Sequence, residues 1–189
     1  MNMKLAGIAA AAVAAVALAG VAVTQMDHDD RRASSMPDIP FIDQNVPDHQ
    51  LLQDVIEVVT WRESGEANHF AYVPKDQPPS LTGLHIGGNG DAITDTYEFG
   101  AGLQAIAAFA QKPMGYCDTA PTGGCAKELT IPGDGAPTQY LSVYFVGVTA
   151  ESQVDLSQHK FWKSTEIVPV SQARWFTDLV ARAKASTVD

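Results

Sequence analysis

The chain has 189 residues, of which 46% are hydrophobic, 18% charged and 8% aromatic, and that composition excludes a long disordered protein. Twelve Lys and Arg stand against 22 Asp and Glu, a formal net charge of -10. No basic cluster is present to neutralise a run of phosphates, which argues against nucleic acid as a partner.

The N-terminal segment is the first with a clear physical meaning. Leu5–Val23 holds no charged or strongly polar side chain, ten of its nineteen residues are Ala, and Lys4 precedes it. A charged start, an apolar middle and the small-x-small run Ala17-Leu18-Ala19 describe a secretory signal cleaved after Ala19. The same stretch as a helix is roughly 28 Å long, close to a bilayer's hydrocarbon thickness, so a retained membrane anchor is the alternative reading of residues 1–24. Either reading places the remainder in a periplasmic or extracellular space, with membrane contact only through residues 5–23 and only if they are retained. Residues 25–48 carry Pro37, Pro40 and Pro47 among many Asp and read as a flexible linker.

Residues 49–189 are expected to form one globular domain. Leu51, Leu52, Val55, Ile56 and Val59 recur at helical spacing behind a candidate N-cap at Asp48, which predicts a helix over 49–63. Pro74–Asp95, with Pro78-Pro79 and the run Gly87-Gly88-Asn89-Gly90-Asp91, reads as a long irregular loop. Asp95 and Glu98 make a capping-box-like pair ahead of Phe99, Leu103, Ile106 and Ala110, which predicts a second helix over 95–110. Tyr140–Val148 is β-branched and aromatic and reads as a strand, with Lys160–Val170 as its partner. Trp175, Phe176, Leu179, Val180 and Ala183 form the stripe of a third helix over 172–184. The expected fold class is therefore α+β, with three main helices, a small antiparallel sheet and one disulfide.

That disulfide joins the chain's only cysteines, Cys117 and Cys125. An oxidising compartment favours their pairing, and a loop this small contributes roughly 2–3 kcal/mol on the chain-entropy model. A thiolate metal pair is the rival, but zinc sites normally space cysteines more closely and bring further ligands nearby. His69, His85 and His159 show no ligand spacing, Ser64 and Ser80 have no nucleophile-elbow context, and no nucleotide loop occurs. Neither a metal nor another cofactor is expected.

One residue suggests chemistry. On a helical wheel Leu52, Ile56, Val59 and Glu63 fall within about 60° of one another, so Glu63 continues the buried stripe if the helix persists. A carboxyl desolvated there would have a raised pKa, as a general acid needs; if the helix ends at Arg62 or Glu63, the side chain fans into water instead.

The segment Val55–Ser64, closing on Trp61-Arg62-Glu63-Ser64, resembles the helix end that carries the catalytic acid in goose-type lysozymes and lytic transglycosylases. Gly83-Leu84, twenty residues on, is similar to that family's Gly-Leu-Met-Gln turn, although His85-Ile86 replaces Met-Gln and no Ala-Tyr-Asn-x-Gly motif occurs. The resemblance implies a peptidoglycan-cleaving glycosidase or lytic transglycosylase with Glu63 as acid. Asp91 and Asp95 are candidates for a second carboxylate by position, and Tyr72, Tyr97 and Tyr116 are candidates for the sugar-binding aromatics of a groove. The alternative class is a non-catalytic accessory or structural subunit, tethered or secreted, that docks on an envelope protein complex.

Overall fold

The computed structural model describes residues 37–65, 68–88, 92–115, 117, 124–132, 138–146 and 156–188. The expected leader or anchor, the first part of the linker, Asp91 and Tyr116 lie outside these residues. No helix among the described residues is long and apolar enough to cross a membrane.

The first helix forms where its stripe predicts. Helix α1 spans His49–Ser64 and buries Leu51, Leu52, Val55, Ile56, Val58 and Val59. Asp48 stands at its N-cap, but its side chain makes no cap bond; it pairs instead with the Arg182 guanidinium at 3.2 Å. Gly65 ends the helix at φ +77°, a left-handed conformation that costs glycine little because it has no Cβ, and its N–H returns to the Arg62 carbonyl.

Beyond α1 the chain is richer in strands than expected. Strand β1 (Phe41–Ile42) lies inside the segment read as linker and pairs with β9 (Thr187–Val188). Gln53 of α1 secures that ribbon by accepting the Ile42 N–H and donating to the Pro40 carbonyl. A second small ribbon pairs β2 (Tyr72–Pro74) with β8 (Ile167–Pro169). The main sheet contains β3 (Leu81–Gly88), β4 (Ala92–Phe99), β5 (Leu103–Ala110), β6 (Cys125–Ile131) and β7 (Gln139–Val146). It is antiparallel throughout, in the order β3-β4-β5-β7-β6.

Two expectations are corrected here. The helix expected over 95–110 is instead most of β4 and all of β5, and the loop expected over 74–95 contains β3 and the start of β4. Ile93, Asp95, Tyr97 and Phe99 share one side of β4, with Thr94, Thr96 and Glu98 on the other, a period of two that suits β-branched and aromatic residues. In β5 the alanines mimic a helix by composition. Ala105, Ala107 and Phe109 nevertheless lie directly opposite Phe145, Val143 and Leu141, and a central strand covered by neighbours on both edges carries apolar residues on both faces.

The strand expected over 160–170 is also corrected. Its first half belongs to α2 (Leu156–Ser164), and only Ile167–Pro169 is extended. The fully buried Gln158 and Trp162 lie one helical turn apart, so burying both on one face favours the helix over the β-propensity of Phe161 and Trp162. The last helix, α3 (Arg174–Ala185), buries Phe176, Leu179 and Ala183.

The three helices supply the core together with the sheet's inward face. Aromatic rings link the layers: Phe70 lies 5.4 Å from Tyr97 and 5.9 Å from Phe176, and Tyr97 meets Trp162 edge-on at 4.8 Å. Asp54 is the polar exception on α1. Its carboxylate accepts from Gln50 and from the Leu84 N–H, each at 2.9 Å, which fastens the helix along the outer edge of β3. Gly83 leaves room there for two carboxylates, since a Cβ would come within 3.0 Å of that of Asp54 and 2.9 Å of that of Glu98. Cys117 and Cys125 form the expected disulfide.

Candidate functional site

A groove of about 370 Å³ runs between the end of α1 and the face of α3. Its apolar lining comes from Val59, Val170, Phe176 and Val180; its polar lining comes from Arg62, Glu63, Asn68, Ser171, Thr177 and Lys184. The space opens where the buried stripe of α1 stops before its helix does. Val59 is the last buried residue of α1, so the final turn projects Arg62 and Glu63 beyond the packed layer.

Glu63 therefore occupies the second of the two environments its helix position allowed. Its side chain is 66% exposed, and it accepts a hydrogen bond from the Lys184 ammonium at 3.0 Å, with Lys184 itself 52% exposed. Of the two environments left open by the sequence, the exposed one is observed: the helix ends at Ser64, and α3 brings the Lys184 ammonium to the carboxylate. Exposed pairs of this kind contribute about 1 kcal/mol or less because water screens them and two flexible side chains must be ordered. Glu63→Gln should shift the urea-unfolding free energy by no more than about 1 kcal/mol. A larger loss would mean that the carboxylate bears structural weight.

Arg62, the neighbour of Glu63, is half-buried and lines the same groove. Its Nε is buried without a hydrogen-bond partner, and the guanidinium makes no ion pair among the described residues. Its charge does reach inward, where it helps to lower the pKa of Asp95.

Asp95 lies on the inward side of β4 with no solvent exposure. Its Oδ1 is 2.9 Å from His69 Nδ1, and its Oδ2 accepts the Phe70 N–H at 2.7 Å. His69 is 7% exposed. Burial pushes the Asp95 carboxyl above its ordinary value, opposed by the His69 hydrogen bond, the Phe70 N–H and the positive charges of His69 and Arg62. The two bonds clamp a strained turn, since Phe70 has φ +51°, uncommon for a residue with a Cβ. That turn carries Asn68 into the groove lining, and one residue past it the Ala71 carbonyl accepts the Val170 N–H at 2.9 Å, joining the groove's two loop walls. Asp95 is therefore a positioning group for the groove rather than a carboxylate offered to it.

The remaining candidates separate. Tyr97 is wholly buried, and burial together with the charge of Asp95 raises its phenol well above the ordinary value, so it offers no platform to a sugar. Tyr72 is half-buried in β2 with its ring tilted against Phe109 at 6.5 Å. Asp91 and Tyr116 lie outside the described residues. Of the other candidate histidines, His85 pairs with Glu98 at 3.2 Å and His159 with the Cys125 carbonyl at 3.2 Å. Among the described residues no group of three or more His, Cys, Asp and Glu is placed to hold a metal ion.

Arg62, His69 and Lys184 join the site only through the tertiary structure. A signal for His69 was present: once Ile93-Asp95-Tyr97-Phe99 is recognised as the inward row of a strand, an aspartate in that row requires a donor from elsewhere in the chain. No comparable local pattern pairs Glu63 with Lys184, 121 positions away. No family model, curated protein or solved structure matches this chain.

Proposed function

We propose that this protein is a non-catalytic accessory subunit of an envelope assembly. It is exported by Leu5–Val23, works in the periplasmic or extracellular space, and docks on its partner through the groove between α1 and α3. The observation that carries this reading is the state of Glu63, the groove's only lining carboxylate among the described residues, which is exposed and paired with Lys184. A glycosidase needs a protonated acid and, in most families, a second carboxyl group roughly 5–10 Å away. Here the acid is paired with a cation in water, and Asp95 faces the core. An apolar lining bordered by polar side chains is instead the usual anatomy of a recognition site.

The purified full chain should leave the turbidity of a peptidoglycan suspension unchanged across pH 4–8, and in mild detergent extracts it should migrate with other envelope proteins. Clearing that Glu63→Gln abolishes would replace this reading with the hydrolase. Migration as a lone chain in every extract would remove the accessory role.

A further inference from the structure

We infer that the groove between α1 and α3 captures the free carboxyl terminus of a partner polypeptide whose last side chain is apolar. The inference rests on the accessory reading above and specifies the chemistry of the partner. Three features of the groove select this ligand.

The first is the uncommitted cation. Lys184 is engaged with Glu63, whereas Arg62 makes no ion pair among the described residues and holds a buried Nε without a hydrogen-bond partner in the groove wall. A guanidinium presents a planar fork of donors that matches a carboxylate in two parallel hydrogen bonds. The other charges near it have fixed roles: Glu63 is turned to Lys184, and the buried Asp95 accepts with its two oxygens from His69 and Phe70. On a chain of net charge -10, a cation left open in a cleft is a local site of anion attraction within an otherwise repulsive surface.

The second is the apolar lining beside it. Val59, Phe176 and Val180 offer a place for one apolar side chain next to the carboxylate. The third is the remaining polar lining, which suits an extended chain end, because such an end brings peptide N–H and C=O groups still free to bond, whereas a helix satisfies its own. Asn68 and Ser171 line the groove within reach of such an end and can bond peptide amides, for which a fatty acid has no counterpart.

The test is fluorescence polarisation of the full chain with labelled octapeptides ending in Leu, Val or Phe. Each peptide is compared with its C-terminal carboxamide, and decanoate is included as a competitor. The free acids should bind saturably, and both carboxamide formation and Arg62→Gln should weaken binding at least tenfold while the thermal midpoint stays within a few degrees of wild type. If Arg62→Gln does not fold, Val180→Asp, which sets an anion in the groove from α3, should abolish free-acid binding instead. Equal binding of acids and carboxamides, saturation by no free acid up to millimolar concentration, or displacement by decanoate at lower concentration than by unlabelled peptide would each overturn the inference. The accessory role is judged separately by migration in detergent extracts, so loss of this inference leaves that reading standing.

Discussion

Asp95→Ala is expected to lower the free energy of unfolding by about 3 kcal/mol or more, because it strands two buried donors, the Phe70 N–H and His69 Nδ1–H, at roughly 1–3 kcal/mol each. For a chain of this length such a loss corresponds to about 6–12 °C in thermal midpoint. The damage should spread from the turn at 69–70 into the β2–β8 ribbon, so amides of residues 71–73 should gain hydrogen exchange before those of β5 and β7. Urea unfolding of wild type and variant checks the magnitude, and a difference under 1 kcal/mol would show that the clamp is dispensable.

The same residue yields a pH dependence with a definite sign. Burial raises the Asp95 carboxyl above 3.8, so the folded chain holds that proton more tightly than the unfolded chain does. Its contribution to stability is therefore fully present below the unfolded value and is lost as pH rises through the folded one. The stability of wild type relative to Asp95→Asn should decline as pH climbs from about 4 and then level off. An advantage that grows with pH would mean that the His69 and Arg62 charges outweigh the desolvation.

The second large effect is expected at Trp162. Its side chain has no solvent exposure and packs edge-on against Tyr97 at 4.8 Å and Phe161 at 5.7 Å. Trp162→Ala empties this space under α2 and should cost about 3–5 kcal/mol, a large share of the 5–15 kcal/mol typical of a domain. Trp162→Phe should cost much less, because the Trp162 indole N–H has no hydrogen-bond partner among the described residues and its removal relieves a desolvated donor. Equal losses for Ala and Phe in urea titrations would show that the N–H, rather than the ring's volume, anchors the helix.

Parts of this architecture were legible from local pattern. The stripes of α1 and α3, the β-rich run that became β7 and the pairing of Cys117 with Cys125 all depend on residues close in sequence, and each appears where expected. The failures share a cause. Ala105, Ala107, Ala108 and Ala110 are strong helix formers in isolation, and only the flanking β4 and β7 make a central strand the lower free-energy state. Trp162 favours a strand by type, yet it sits on a helix because one face must bury both Trp162 and Gln158.

The candidate site divides along the same line. Spacing alone placed Glu63 at the end of a hydrophobic helix and left two environments open for it. Lys184, 121 positions later, decided that the carboxylate stands in water as half of an ion pair, and the 26-residue separation of His69 and Asp95 hid a buried clamp that no local period encodes. Periodicity is a property of neighbours along the chain, so it determined which segments had an apolar face. The charge state and partners of a carboxyl group depend on what the fold brings within about 4 Å of it, and that was settled only by the tertiary structure.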